Sequence, residues 1–301
     1  MEDSTKRASW RDWMAIAALG IGSFAIVTTE LAPIGLLSEI GNDLNTSPAQ
    51  VGLIVTLYAW IAALSAWVSV TTLSKLPRRS LLITLMFILG LSAAASAIAD
   101  QFKALMAARV IGAIAHGAFW AMIGTVGAQI VLPRKVGLAT SIIFGGVSAA
   151  SVLGVPLANL IGSSEGWRMA FAAVAFLSIL VAAAIWHALP KLPGVEGVNF
   201  SSLTRIASNS RFRRIFTATF LAITVHFMAF TCIEHFLTTG TTVPSEAVAP
   251  MLFTFGAAGV AANFLTGAMI DKSLKGILIG VYFCQVVRSC FLRSREATST
   301  Q

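Results

Sequence analysis

Charge is what this 301-residue chain has least of. Asp, Glu, Lys and Arg make up 11% of it, against about 25% in a typical soluble domain. With 56% of residues hydrophobic, a soluble fold would need a core far larger than this length can enclose. Cysteine is scarce too: Cys232, Cys284 and Cys290 lie in or beside apolar segments without CxxC spacing, so neither a disulfide framework nor a metal site is implied. GxxxxGK[ST], HExxH and a Gly-rich dinucleotide turn are all missing, so no enzyme, no cofactor and no ATP-driven pump is expected. The net charge of +8 comes without a basic stripe or aromatic interleaving, which points to membrane lipids and not to nucleic acid.

What is present is a series of apolar runs, each near the ~20 residues a spanning helix needs. They read as Met14–Leu37, Val51–Leu73, Leu81–Ile98, Leu105–Val131, Leu138–Ile161, Met169–Leu189, Phe216–Leu237 and Val248–Ile270. The first is too long for a signal-peptide core and has no cleavage site, so it reads as a retained span. Fifteen Lys and Arg residues fall in the N-terminus or in every second loop, while the intervening loops hold only Lys103 and Arg168. By the positive-inside rule the N-terminus is cytoplasmic. Trp10, Trp13 and Trp186 at inner ends and Trp167 at an outer end match an aromatic belt.

The polar stretch Pro190 to Arg214 divides the chain into a cytoplasmic N-terminus (1–13), a six-span bundle (14–189), a cytoplasmic linker (190–214), a partial second bundle (215–287) and a polar tail (288–301). The halves echo each other. Thr28, Thr29 and Glu30 sit near the outer end of the first span, and Thr231, Cys232, Ile233 and Glu234 at a similar depth in the seventh. Paired halves with polar groups at matched depth are a transporter signature. After Lys275, Gly276 to Val287 is too short for an ordinary span, so a shortened product is expected, and with it a nonfunctional fragment as one alternative.

Ionisable residues at membrane depth are costly and usually face a cavity or a partner. Glu30, roughly 25 Å along its helix, is a carboxylate that can take up and release a proton, or one solvated at the outer interface. Glu234 invites the same two readings. Arg109 lies one turn into the fourth span, at a depth where it could pair with Glu30. His116, two turns further, shares its face, beside Trp120. Both suit a substrate path, and both also suit structural packing. In the fifth span Gly146, Ala150, Gly154, Ala158 and Gly162 recur every four residues, a small-residue stripe for close helix packing or for sliding. Pro156 adds a bend.

Several segments then resemble the major facilitator superfamily, and within it the bacterial sugar efflux transporters of the drug/proton antiporter type. They are Thr28 to Leu37 (TTELAPIGLL), Ala49 to Gly52 followed by Thr56 to Trp60 (with Tyr58), Arg78-Arg79, Arg109 with His116, Phe119 and Trp120, Gly154 to Leu157, Gly166 to Met169, and Ile233-Glu234. Departures occur in the second-span loop signature, which holds Val70, Ser74 and Lys75, and at Ala158-Asn159, where the antiporter pattern has Gly-Pro. The loop after span eight keeps Gly267, Asp271 and Lys272. The resemblance implies an all-α membrane protein, a helical bundle of the major facilitator type. It also implies a bacterial inner-membrane carrier of sugars or drug-like solutes in exchange for protons. Glu30 and Glu234 would be proton-coupling groups, with Arg109, His116, Tyr58 and Trp120 along the path. Arg78, Arg79, Asp271 and Lys272 would serve as gating-loop charges.

Overall fold

The computed structural model describes residues 9–194, 200–239, 251, 253–254, 256–270, 273 and 276, and every regular element among them is helical. Helix α1 (Trp10–Leu31) runs through a 3-10 turn, Ala32–Leu36, into the short α2 (Leu37–Asp43). Then follow α3 (Pro48–Thr72), α4 (Arg78–Ala97) and α5 (Phe102–Ile130). The fifth span is α6 (Val136–Ala149), a π-turn (Ala150–Gly154) and α7 (Val155–Glu165); α8 (Trp167–Ala188) is the sixth. Beyond the linker come α9 (Phe200–Ser208), α10 (Ser210–Thr239) and α11 (Gly256–Ile270). Six helical units among the described residues are long and apolar enough to cross a membrane. Helix α10 covers the expected seventh span and α11 the C-terminal part of the eighth. Asp271, Lys272, residues 277–287 of the short ninth run and the tail lie outside the described residues, as does the side chain of Glu234 on α10.

Each of the first seven spans begins earlier than the apolar run alone suggests, because the first turn of a helix tolerates polar residues that cap it. Ser9 and Asp12 form a reciprocal capping box on α1, with Ser9 N–H donating to Asp12 Oδ2 at 2.6 Å. Ser47 and Gln50 do the same on α3, where Pro48 occupies the first turn. Both satisfy amides that would otherwise be orphaned. The fifth span is interrupted where Pro156 has no N–H to offer Val152; the helix widens into the π-turn just before it. Gly166 takes φ +87°, a left-handed conformation that glycine adopts without strain, and so turns α7 directly into α8.

Lipid is as apolar as leucine, so burial of apolar area alone does not hold such helices together; close packing and interhelical hydrogen bonds do. Gly117 of α5 lets that helix meet the backbone of α3 at Ala62, and Gly20 of α1 lies against the carbonyl of Ile142 on α6. Ser65 Oγ donates to the Ile114 carbonyl at 2.7 Å and Ser92 Oγ to that of Ala108 at 2.6 Å, tying α3 and α4 to α5. The main apolar core gathers Ile16, Leu19, Leu82, Met86, Phe119, Ile123 and Ile143 from α1, α4, α5 and α6. At the N-terminal end of α4 the linker folds back, where Arg78 N–H donates to the Leu192 carbonyl at 3.1 Å.

Candidate functional site

The interior of the six-helix bundle holds one run of polar side chains drawn from three spans. His116 of α5 places Nε2 3.6 Å from Glu30 Oε2 on α1. Its Nδ1 lies 3.4 Å from the Tyr58 hydroxyl on α3, with the two rings edge-on at 5.5 Å. Tyr58 and Arg109 are almost fully buried and His116 nearly so, while the Glu30 side chain stays 26% exposed. Gly112, one turn from His116, leaves the room: a Cβ there would meet Ser92 Oγ and come within 3.6 Å of the Tyr58 ring.

Arg109 sits apart from the expected ion pair. Its Cζ lies 4.0 Å above the Tyr58 ring and 5.6 Å from that of Phe171 on α8. None of its three guanidinium nitrogens has a hydrogen-bond partner among the described residues. The negative faces of the two rings take the place of a carboxylate as the nearest attraction, and Glu30 turns to His116 instead. Arg109 and His116 do share one buried face of α5, as their spacing requires. Trp120 continues the run, 6.4 Å from His116 by ring centroids and edge-on to Phe144 of α6 at 5.4 Å.

The small-residue stripe faces inward within the same bundle. Gly146 is packed on the backbone of Gly20 and Phe24, Gly154 on Thr28, and Gly162 on Leu36 and beside Glu39, while Ala150 and Ala158 are buried. It thus follows α1 and α2 along their length. The face toward the second half is a different one. Asn263 Nδ2 of α11 donates to the Ser141 carbonyl at 2.7 Å, Gly145 opposes Phe264, and Gly256 opposes Val152.

Arg78 and Arg79, expected as gating-loop charges, are engaged inside the first bundle. Arg78 is buried with Nη1 2.6 Å from Met122 Sδ, and Arg79 donates to the Trp186 carbonyl while lying 5.2 Å over that indole. At the other end a cluster that sequence reasoning did not assemble joins three spans. Arg168 Nη1 lies 2.5 Å from Asp43 Oδ2, its Nη2 donates to the Ala99 carbonyl at 3.0 Å, and Trp167 Nε1 donates to Asp43 at 3.2 Å. The Gly-Trp-Arg segment was visible in the sequence; its partner Asp43, 125 residues from Arg168, carried no signal.

Apolar spans closing around buried ionisable groups define a multi-pass membrane protein. The chain belongs to the Major Facilitator Superfamily, whose family model matches residues 17–292. A protein of Pasteurella multocida (strain Pm70) described as a probable sugar efflux transporter is 32% identical over 258 residues, 86% of this chain. The chain spans 64% of that relative's length. Among solved structures the fold is shared with the proton:xylose symporter XylE bound to 6-bromo-6-deoxy-D-glucose (TM-score 0.68, 12% identity, 88% of this chain and 70% of that one). It is shared as well with the human organic anion transporter MFSD10 (TM-score 0.65, 20% identity, 86% and 72%). At these identities the structures speak for the fold alone. The superfamily is one of non-enzymatic transporters.

Proposed function

We propose that this protein is a plasma-membrane carrier exporting sugars or related small solutes in exchange for protons, by alternating access between two bundles joined by the 190–214 linker. The observation that carries the reading is the buried run Tyr58–His116–Glu30 beside the Arg109 guanidinium. A hydroxyl, an imidazole and a carboxylate in series are groups that can hand a proton along, and ionisable side chains at this depth usually serve a pathway. The partial exposure of Glu30 leaves it reachable while its neighbours are sealed. Glu234 would be its counterpart in the second half, with Trp120 beside the path.

The alternating basic loops support a cytoplasmic N-terminus. The α6–α11 face at Ser141, Gly145 and Val152 is where the halves would move, while the α1-facing stripe keeps the first bundle rigid. The printed description of the Pasteurella relative supports the sugar class. The test is efflux of a solute panel, neutral sugars beside drug-like cations, from vesicles carrying the full chain at two external pH values. Sugar efflux that rises with an inward proton gradient supports the reading; efflux of the cations alone replaces the sugar class, and no efflux of any solute overturns it.

A further inference from the structure

The guanidinium of Arg109 has no hydrogen-bond partner among the described residues, so no hydrogen bond fixes where its charge sits. Two aromatic rings do. The Tyr58 ring, 4.0 Å away, already belongs to the polar run, whereas Phe171 of α8, at 5.6 Å, is a contact from outside it. A guanidinium within about 6 Å of a ring centroid is drawn to the ring's negative face, most strongly where water is excluded. Arg109 and Phe171 are both almost fully buried.

Phe171 is itself held. It packs in a second apolar core with Ile54 and Leu105, which lie one turn before Tyr58 and Arg109 on their helices. One turn earlier on α8, the buried Trp167 ring stands edge-on to Phe171, at 5.8 Å and 90°, an arrangement aromatic pairs prefer. The Trp167 indole N–H donates to Asp43 at 3.2 Å, and Asp43 is paired with Arg168. Asp43, Trp167, Phe171 and Arg109 therefore touch in succession, from an exposed ion pair to a buried cation. We infer that Phe171 is a positioning residue for the Arg109 guanidinium, and that Asp43 sets it through Trp167 from the exposed end.

The consequence for transport rests on the proton-exchange reading of Glu30; the positioning itself does not. The titratable groups that meet Glu30 among the described residues are His116 and, through it, Tyr58, with Arg109 acting at longer range. The other helices packed on α1 add none: no ionisable residue lies between Val136 and Ser164 or between Met169 and Trp186. The pull of a cation on a carboxylate changes steeply with distance where water is excluded. Displacing the guanidinium thus changes the pH at which Glu30 exchanges its proton.

Two readouts on the full-length chain test this. The first needs no transport. Phe171→Leu removes the ring but keeps an apolar side chain, and it should lower the thermal midpoint in detergent. In an Arg109→Met background the same change should cost about half as much or less, because the ring then has no cation to hold. Equal losses in the two backgrounds overturn the proposal. The second readout is efflux against external pH. F171L should move the midpoint of that profile by about 0.3–1 pH unit, the scale on which a small displacement of a buried charge acts. Asp43→Ala, at an exposed position, should move it in the same direction by less. Asp43→Asn keeps an acceptor for the Trp167 N–H and should leave the midpoint in place. A profile unmoved by F171L or by D43A overturns the proposal, as does an equal movement in D43A and D43N. If efflux by the unaltered chain ignores pH, the proton-exchange reading fails, and the thermal comparison alone decides the positioning role.

Discussion

The imidazole of His116 reaches from the fourth span to the carboxylate of Glu30 on the first, Nε2 to Oε2 at 3.6 Å, with the Tyr58 hydroxyl on its other nitrogen at 3.4 Å. Arg109, two turns earlier on the same helix face, takes no part in that contact and rests on the Tyr58 ring. Glu30 and Tyr58 thus meet at His116, while the guanidinium is held over the Tyr58 and Phe171 rings.

If the Glu30 carboxylate is the group that exchanges protons, Glu30→Gln should leave insertion intact and flatten the dependence of efflux on external pH. Transport at two pH values in vesicles measures it, and unchanged coupling in that variant removes Glu30 from the mechanism.

Arg109 is a buried cation without a hydrogen-bonding partner among the described residues. A buried charge carries a desolvation penalty of several kcal/mol, and here only the two ring contacts offset it. Arg109→Met should raise the thermal midpoint in detergent and at the same time lose transport. A lower midpoint would mean that the guanidinium is compensated in a way the ring contacts do not account for.

Tyr58 does two separable jobs. Tyr58→Phe deletes the contact to His116 Nδ1 but keeps the ring under Arg109, at an expected cost of about 0.5–1.5 kcal/mol. Tyr58→Ala removes the ring as well and should cost about 3–5 kcal/mol. Chemical or thermal unfolding of the two variants side by side reads the difference.

Gly146 and Gly52 make a matched pair. A Cβ at Gly146 would collide with the Gly20 carbonyl and come within 2.9 Å of the Phe24 amide, whereas one at Gly52 meets nothing within 4 Å. Gly146→Ala should destabilise by about 1–3 kcal/mol. Gly52→Ala should stabilise α3 by up to about 1 kcal/mol through helix propensity. Thermal midpoints of both variants check the α1–α6 seam.

The Asp43–Arg168–Trp167 cluster predicts coupling between distant residues. Asp43 and Arg168 are 45% and 38% exposed, so a double-mutant cycle with Asp43→Ala and Arg168→Ala should give a coupling of about 1 kcal/mol or less. Arg168→Lys should recover only part of it, because a point charge cannot hold Asp43 and the Ala99 carbonyl together.

The membrane class, the number of spans in the first half and the shared face of Arg109 and His116 were legible in the chain, because hydropathy and helical spacing are local properties. The Gly146–Gly162 stripe was legible as a packing surface, but its spacing names no partner helix; the structure sets it against α1. The expected Glu30–Arg109 pair failed for a related reason. Depth along a helix can be counted from a sequence, whereas the rotation that turns Glu30 toward His116 and sets Tyr58 under the guanidinium cannot.

What the chain determined by itself is its solvent: with so few charges, and those placed in alternate loops, long helices lying across a bilayer are the form in which its backbone groups can all be satisfied. Which helices touch and which polar side chains meet inside them were decided only by tertiary packing. Those outcomes depend on contacts between residues far apart in sequence, at distances of a few ångströms that no periodicity encodes.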